Sequence, residues 1–271
     1  MLNLLLQGSW TQEQIKVSTI PSTRPIYPEV EKIIEQTWAE KKSHLGDALF
    51  DGPMSRLESF HTDGPNLHLN LSTTSYRVFL GTNLCHASLA EKFGRPALAN
   101  AIGLSAALIT ADNKLVMGRR NDRVAYYPNR IHPFAGALEP QDVPNVFDGM
   151  QRELKEELNL SADQIQELRM LAIIEDQRLL QPEFIFVART SCTAPEFGQS
   201  LNNAEHRDLW VLSAISPTMW ELLNSIKLED KTSPDIFTPV AVGALIMFGR
   251  HAFGDEWRKQ EVMSAFQVIA Q

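Results

Sequence analysis

Between Val146 and Leu158 an apolar residue recurs at every fourth position: Val146, Met150, Leu154 and Leu158. That spacing commits the segment to an amphipathic helix with one face buried. The same segment carries Arg152-Glu153-Leu154-Lys155-Glu156-Glu157-Leu158. At about 3.6 residues per turn, Glu153, Glu156 and Glu157 stand at i, i+3 and i+4 and point within an arc of about 100°. Glu157 falls at the edge of the apolar stripe, where a fully solvated carboxylate is hard to place. Three carboxylates this close repel, and in a half-buried setting they take up protons unless a cation neutralises them. Clustered hard oxygens suit Mg²⁺ or Mn²⁺, and Mg²⁺ also holds waters and phosphates. Taken as a string alone, the segment is equally well an ordinary charged helix with Glu–Lys and Arg–Glu pairs.

The flanks bear on that choice. A predicted strand pair, residues 104–110 and 114–120, leads through a long loop to Gly136 and Glu139, and a strand at 168–175 follows the helix. Strand, glycine-containing loop, helix, strand resembles the Nudix hydrolase superfamily, whose box reads G-x5-E-x7-R-E-U-x-E-E-x-G-U with U apolar. The second half of the box fits residues 152–160. In the first half Gly136 takes the glycine place and Asp142 the glutamate place, and nine residues rather than seven separate Asp142 from Arg152. Asn159 replaces the last glycine, a change that a left-handed helix cap tolerates. Further strings resemble the UDP-glucose pyrophosphatase (UDP-sugar diphosphatase) subgroup: LLLQ at 4–7, QEQI at 12–15, LFD at 49–51, TSYRVFLGTN at 74–83, Arg119-Arg120 and G-x-x-E-P-Q at 136–141.

That resemblance implies an α+β fold, a Nudix-type α/β/α sandwich with an N-terminal α+β extension. It implies a pyrophosphohydrolase that cleaves a UDP-sugar (UDP-glucose or UDP-galactose) to UMP and a sugar 1-phosphate. The implied cofactor is Mg²⁺, with Mn²⁺ as the alternative, held by Glu153, Glu156 and Glu157 with Glu139. Arg152 completes the catalytic set and is expected to pair with Glu156 one turn on. The implied division is an N-terminal segment, 1–98, contributing to the substrate pocket, and a Nudix core, 99–271. Hydrolysis of another nucleoside diphosphate compound such as ADP-ribose, and a silent nucleotide-binding module, are the rival readings.

Candidate substrate residues follow from chemistry. Arg77 with the rings of Tyr76 and Phe79 suits a base, and Thr82 and Asn83 offer polar groups for phosphate or sugar. The competing reading is a short helix with Phe79 in the core. Arg119, Arg120 and Gly136 are candidates at the diphosphate; Glu205 is one candidate base.

The rest of the chain sets bounds. Of 271 residues, 44% are hydrophobic and 21% charged, enough for a good core. The net charge of -8, with no basic block, argues against nucleic acid as the main ligand. Two cysteines, Cys85 and Cys192, make neither a disulfide framework nor a zinc site, and a reducing, cytoplasmic setting is expected. No apolar run reaches the length of a membrane span. Other expected elements are a buried strand at 2–6, helices at 29–43, 87–93 and 238–253, and strands at 56–61, 67–71, 184–190 and 209–212.

Overall fold

The computed structural model describes residues 2–198, 201, 205–225, 236–259 and 266–268. The chain opens with β1 (Leu2–Trp10), β2 (Ile15–Thr19) and α1 (Pro28–Leu45). Pro28 begins the helix, where its missing N–H leaves no bond unmade, and Gly46 ends it at φ +56. β3 (Pro53–Asp63) and β4 (Asn66–Ser75) form a hairpin. α2 (Tyr76–Phe79) continues into a wide turn over Leu80–Leu84, and α3 (Leu89–Phe93) stops at Gly94. Then come β5 (Gly103–Ile109), β6 (Lys114–Arg120), β7 (Ile131–His132), β8 (Phe134–Ala137) and α4 (Val146–Leu158). β9 (Ile165–Asp176), β10 (Gln181–Thr190), α5 (Ala194–Phe197), β11 (His206–Ser213), α6 (Ser216–Ser225), α7 (Pro239–Lys259) and β12 (Phe266–Val268) complete the described elements.

The expected strands and helices are present, most with longer bounds. Elements not anticipated, such as β2, β7, β8 and α6, are too short or too mixed in composition to show a period.

β11, β6, β5, β10, β9, β1 and β12 lie side by side in that order, with β7 on β6 and β8 on β5, making a mixed sheet of nine strands. The two-residue period of a strand sorts its side chains. Leu104, Ala106, Leu108, Phe184 and Phe186 pack with Met150 and Leu154 of α4. Ala107, Ile109, Ile185 and Val187 pack with Ala241, Leu245 and Phe248 of α7. Helix, sheet, helix is the α/β/α layering expected.

The N-terminal segment is tied into these layers. β1 pairs antiparallel with β9 inside the large sheet. A small sheet, β2-β4-β3, sends Leu67, Leu69 and Leu71 into the cluster that holds α4. Arg56, 1% exposed, donates to the carbonyls of Pro96 and Ala99 at 2.9 Å each and to Leu98, and pairs with Glu58 at 2.9 Å. A buried guanidinium is tolerable only when its donors are matched in this way.

Candidate active site

α4 is shaped by local chemistry before any site exists. Asn145 caps its start, its side chain accepting from Phe147 N at 3.2 Å. Asn159 ends it in the left-handed region at φ +55, the conformation read from the sequence. Val146, Met150, Leu154 and Leu158 are each at most 1% exposed. Each such side chain stabilises the packing of α4 on the sheet by about 1.5–3 kcal/mol.

Seating that stripe decides what becomes of the glutamates. Glu153 and Glu157, beside the stripe, are buried, while the Glu156 side chain is 58% exposed. Glu153 lies against β8 at Gly136; a Cβ at that glycine would stand 1.9 Å from the Glu153 carboxyl carbon. A glycine is therefore required for the carboxylate to meet the strand. Glu157 accepts from Ala135 N at 2.9 Å and meets His206 Nε2 at 2.9 Å. His206, fully buried on β11, is admitted by a second glycine, since a Cβ at Gly118 would be 2.1 Å from its Nδ1.

Burial pushes the Glu153 carboxyl up to about 7, and Glu157 and Glu156 add to this against the pull of Arg152. Burial likewise raises Glu157, offset by its hydrogen bond to His206. Arg152 Nη1 is 2.7 Å from Glu153 and 3.6 Å from Glu156. Arg152 also donates to Asp142 Oδ2 at 3.0 Å and to Ala137 O at 2.9 Å. The expected Arg152–Glu156 pair is thus the longest of its ion pairs, because Asp142 and Glu153 are buried beside the guanidinium while Glu156 faces water. Asp142 and Glu139 close a capping box on the turn Pro140–Asp142, Asp142 accepting from Glu139 N at 2.9 Å.

Among the described residues no three Asp, Glu, His or Cys side chains converge as a ready-made metal cage. The donor chemistry nevertheless fits a hard divalent ion. Burial, with Glu157 and Glu156 beside it, raises the proton affinity of Glu153, and a glycine leaves room there.

A cavity of about 370 Å³ opens next to Gly136. Its lining includes Tyr76, Arg120, Tyr126, Gln181, Glu183 and Glu205. Of the Arg119-Arg120 pair, strand alternation sends Arg120 into this cavity and Arg119 to Asp208 on β11, 3.2 Å away. The Arg120 guanidinium lies 4.7 Å from the Tyr126 ring centroid and 3.9 Å from Glu205, and its Nε has no hydrogen-bond partner among the described groups. Glu183 is buried against Gly103, where a Cβ would sit 1.9 Å from its Oε2, and it accepts from Ser105 Oγ. Burial pushes its carboxyl up to about 7, opposed by the Ser105 hydrogen bond and Arg120. Burial also pushes the Tyr126 hydroxyl up to about 12.

The sequence-derived substrate residues divide. Tyr76 and Phe79 line the cavity, Phe79 with only 3% exposure and so mostly core. Thr82 and Asn83 are fully buried away from it. Thr82 Oγ1 accepts from Ala99 N at 3.1 Å, and Asn83 donates to the carbonyls of Leu179 and Leu180 at 3.0 Å each. Arg77 turns to Asp51 and Glu35. Thr82 and Asn83 fasten the α2 turn to the β9–β10 hairpin and to the 95–101 connection, Arg77 faces α1 and the 49–52 segment, and none of the three lines the cavity. Sequence reading missed His206, Glu183 and Tyr126. The available signals were a glycine inside an apolar strand, at Gly118, and a glutamate heading the apolar run of β10.

No family model matches the chain. Uridine diphosphate glucose pyrophosphatase NUDT22 of Homo sapiens is 32% identical over 211 aligned positions, covering 65% of this chain and 69% of that protein. The chain belongs to the Nudix hydrolases, in the uridine diphosphate glucose pyrophosphatase group. The Mus musculus protein of the same name is 28% identical over 93% of this chain and 90% of its own length. Nudix hydrolase 9 of Arabidopsis thaliana is 24% identical over 66% of this chain and 69% of its own. Among solved structures, an ADP compounds hydrolase aligns with 57% of this chain and 74% of its own, at 20% identity and a TM-score of 0.39. As a Nudix hydrolase, this protein is a pyrophosphohydrolase.

Proposed function

We propose that this Nudix hydrolase cleaves the diphosphate of a UDP-sugar, UDP-glucose or UDP-galactose, to UMP and a sugar 1-phosphate. The observation that carries the reading is one cavity in which the box strand at Gly136 meets a buried arginine, Arg120, and a buried carboxyl, Glu183. The names of the mouse and human relatives supply the substrate class. Glu153, Glu156 and Glu157 would hold Mg²⁺, or Mn²⁺ in its place. The bound ion would withdraw charge from the diphosphate oxygens and acidify a water.

The chain's own residues do the rest. Arg120, already desolvated, offers its unmatched N–H to a phosphate oxygen at little further cost. Tyr126 stacks under that guanidinium and fixes its plane. Arg152 holds Glu153, Asp142 and the Ala137 carbonyl together, so the loop and helix keep one geometry. His206 orients Glu157 from the opposite side. Glu183 and Gln181 accept from the hydroxyls of the sugar. Water oxygen bonds to one phosphorus, the bridging P–O bond breaks, and the water proton passes to Glu205 at the cavity mouth.

A panel of UDP-glucose, UDP-galactose and ADP-ribose with Mg²⁺, with products resolved by ion exchange, tests this. UMP and hexose 1-phosphate from both UDP-sugars, with ADP-ribose a poor substrate, are expected. ADP-ribose as the better substrate overturns the reading.

A further inference from the structure

A second cavity, of about 620 Å³, adjoins the first and shares Tyr76, Arg123, Ala125 and Tyr126 with it. Its lining is of a different chemistry. Lys41 of α1, Arg123 and Arg130 of the 121–130 loop, and Arg178 of the β9–β10 turn all border it, and among the described residues no Asp or Glu does. Arg130 and Arg178 lie 5.0 and 5.8 Å from the ring centroid of Tyr127. Tyr127 is itself held at φ +49, its hydroxyl donating to Asp176 at 2.5 Å. An aromatic residue adopts that backbone region only where the surroundings impose it, and such positions gather at ligand sites. The remaining lining is apolar, with Leu45, Leu49, Leu80, Leu84 and Leu179.

Four cations gathered in a cavity of a chain with net charge -8 repel one another, and a bound anion relieves that repulsion. A hexose has no charge to offer. A nucleoside monophosphate has both required parts: a flat ring for leucine and tyrosine walls, and a phosphate for guanidinium groups. The first cavity complements the other half, since the carboxyls and amide of Glu183, Glu205 and Gln181 accept from hydroxyls.

We infer that the second cavity binds the nucleoside monophosphate half of the substrate, and the nucleotide product after cleavage. The diphosphate then crosses at Arg123 and Tyr126, and the sugar lies over Glu183. This rests on the nucleotide-sugar reading for its substrate, but its test does not depend on turnover.

UMP, uridine, inorganic phosphate and glucose 1-phosphate are titrated calorimetrically into the full chain and into Lys41→Ala and Arg178→Ala. Both replaced residues are exposed and line only the second cavity. UMP is expected to bind, with uridine and inorganic phosphate each at least about tenfold weaker, and either variant to weaken UMP by about tenfold, the worth of one charge-assisted contact. Circular dichroism verifies that each variant is folded, and two independent variants keep the test decisive should one fail. Unchanged UMP affinity in the folded variants overturns the inference. So does inorganic phosphate binding as tightly as UMP, or a loss confined to glucose 1-phosphate. UMP binding as described in a protein that leaves UDP-glucose intact would sink the substrate reading and leave this site standing.

Discussion

Replacing Glu183 by Gln removes a carboxyl that folding takes out of water, and the consequence has a definite sign. Glu183 is buried, with Ser105 of β5, Arg120 of β6 and Asp176 of β9 acting on its carboxyl. Its carboxyl rises from an ordinary 4.5 to about 7 on folding, because burial disfavours the ionised form more than Ser105 and Arg120 favour it. A raised acid leaves stability intact below the unfolded value and removes it as pH climbs through the folded value. The interval from 4.5 to about 7 corresponds to about 3 kcal/mol lost by pH 8. Glutamine keeps the shape and can still accept from Ser105 Oγ, but has no proton to lose. Chemical denaturation in EDTA at several pH values from about 5 to 8.5 measures the difference between variant and wild type. All other titrating groups, Glu153 included, are common to both chains and cancel in the difference. The gap should be smallest at pH 5, about 1 kcal/mol, and grow in the variant's favour to about 3 kcal/mol at pH 8. Parallel profiles across the range would refute the reasoning, for they would mean that Glu183 ionises in the folded chain as readily as in the unfolded one. A gain of stability with a loss of hydrolysis would identify the buried carboxyl as a group kept for function.

Other outcomes follow from the same geometry. Glu157→Gln should cut turnover by about 10²–10³-fold, because it removes charge from the buried cluster at the box, whereas Glu139→Gln should lose less, since Glu139 is engaged in a capping box; equal losses at saturating Mg²⁺ would count against this difference. Gly136→Ala puts a methyl 1.9 Å from the Glu153 carboxyl carbon, so activity should vanish while thermal melting shows a cost of about 1–3 kcal/mol. His206→Ala leaves a Glu157 oxygen buried without its partner and should destabilise the fold by about 1–3 kcal/mol, measured by urea titration. Asn83→Ala, which breaks bonds to Leu179 and Leu180, should lower the melting temperature and leave KM for UDP-glucose unchanged in the folded protein.

How much of this was legible in the chain differs from residue to residue. α4 was readable because its stripe, its Asn145 start and its Asn159 end are all local, and local rules act within a few residues. The glutamate spacing placed three carboxylates on one side of the helix, but only packing against β8 decided that Glu153 and Glu157 are buried and Glu156 is not. The string at 74–83 offers either polar groups for a ligand or a short helix with Phe79 in the core. The fold spends Thr82 and Asn83 on carbonyls and amides far along the chain, since buried backbone groups must be satisfied before any side chain is left for substrate. Composition alone could not show that Arg120 faces a cavity while Arg119 faces Asp208, although alternation along β6 guarantees that they part. His206 and Glu183 are farther still from sequence logic. Each acquires its role by lying across a glycine of another strand, Gly118 and Gly103, and strand register is set by tertiary pairing. The sequence by itself determined the helix, its caps and the carboxylate-bearing face, because those depend on neighbours within a turn. Only the tertiary structure decided which carboxyls lose water, which arginine meets the cavity, and which cations gather beside it, because desolvation and convergence are properties of packed strands and not of spacing.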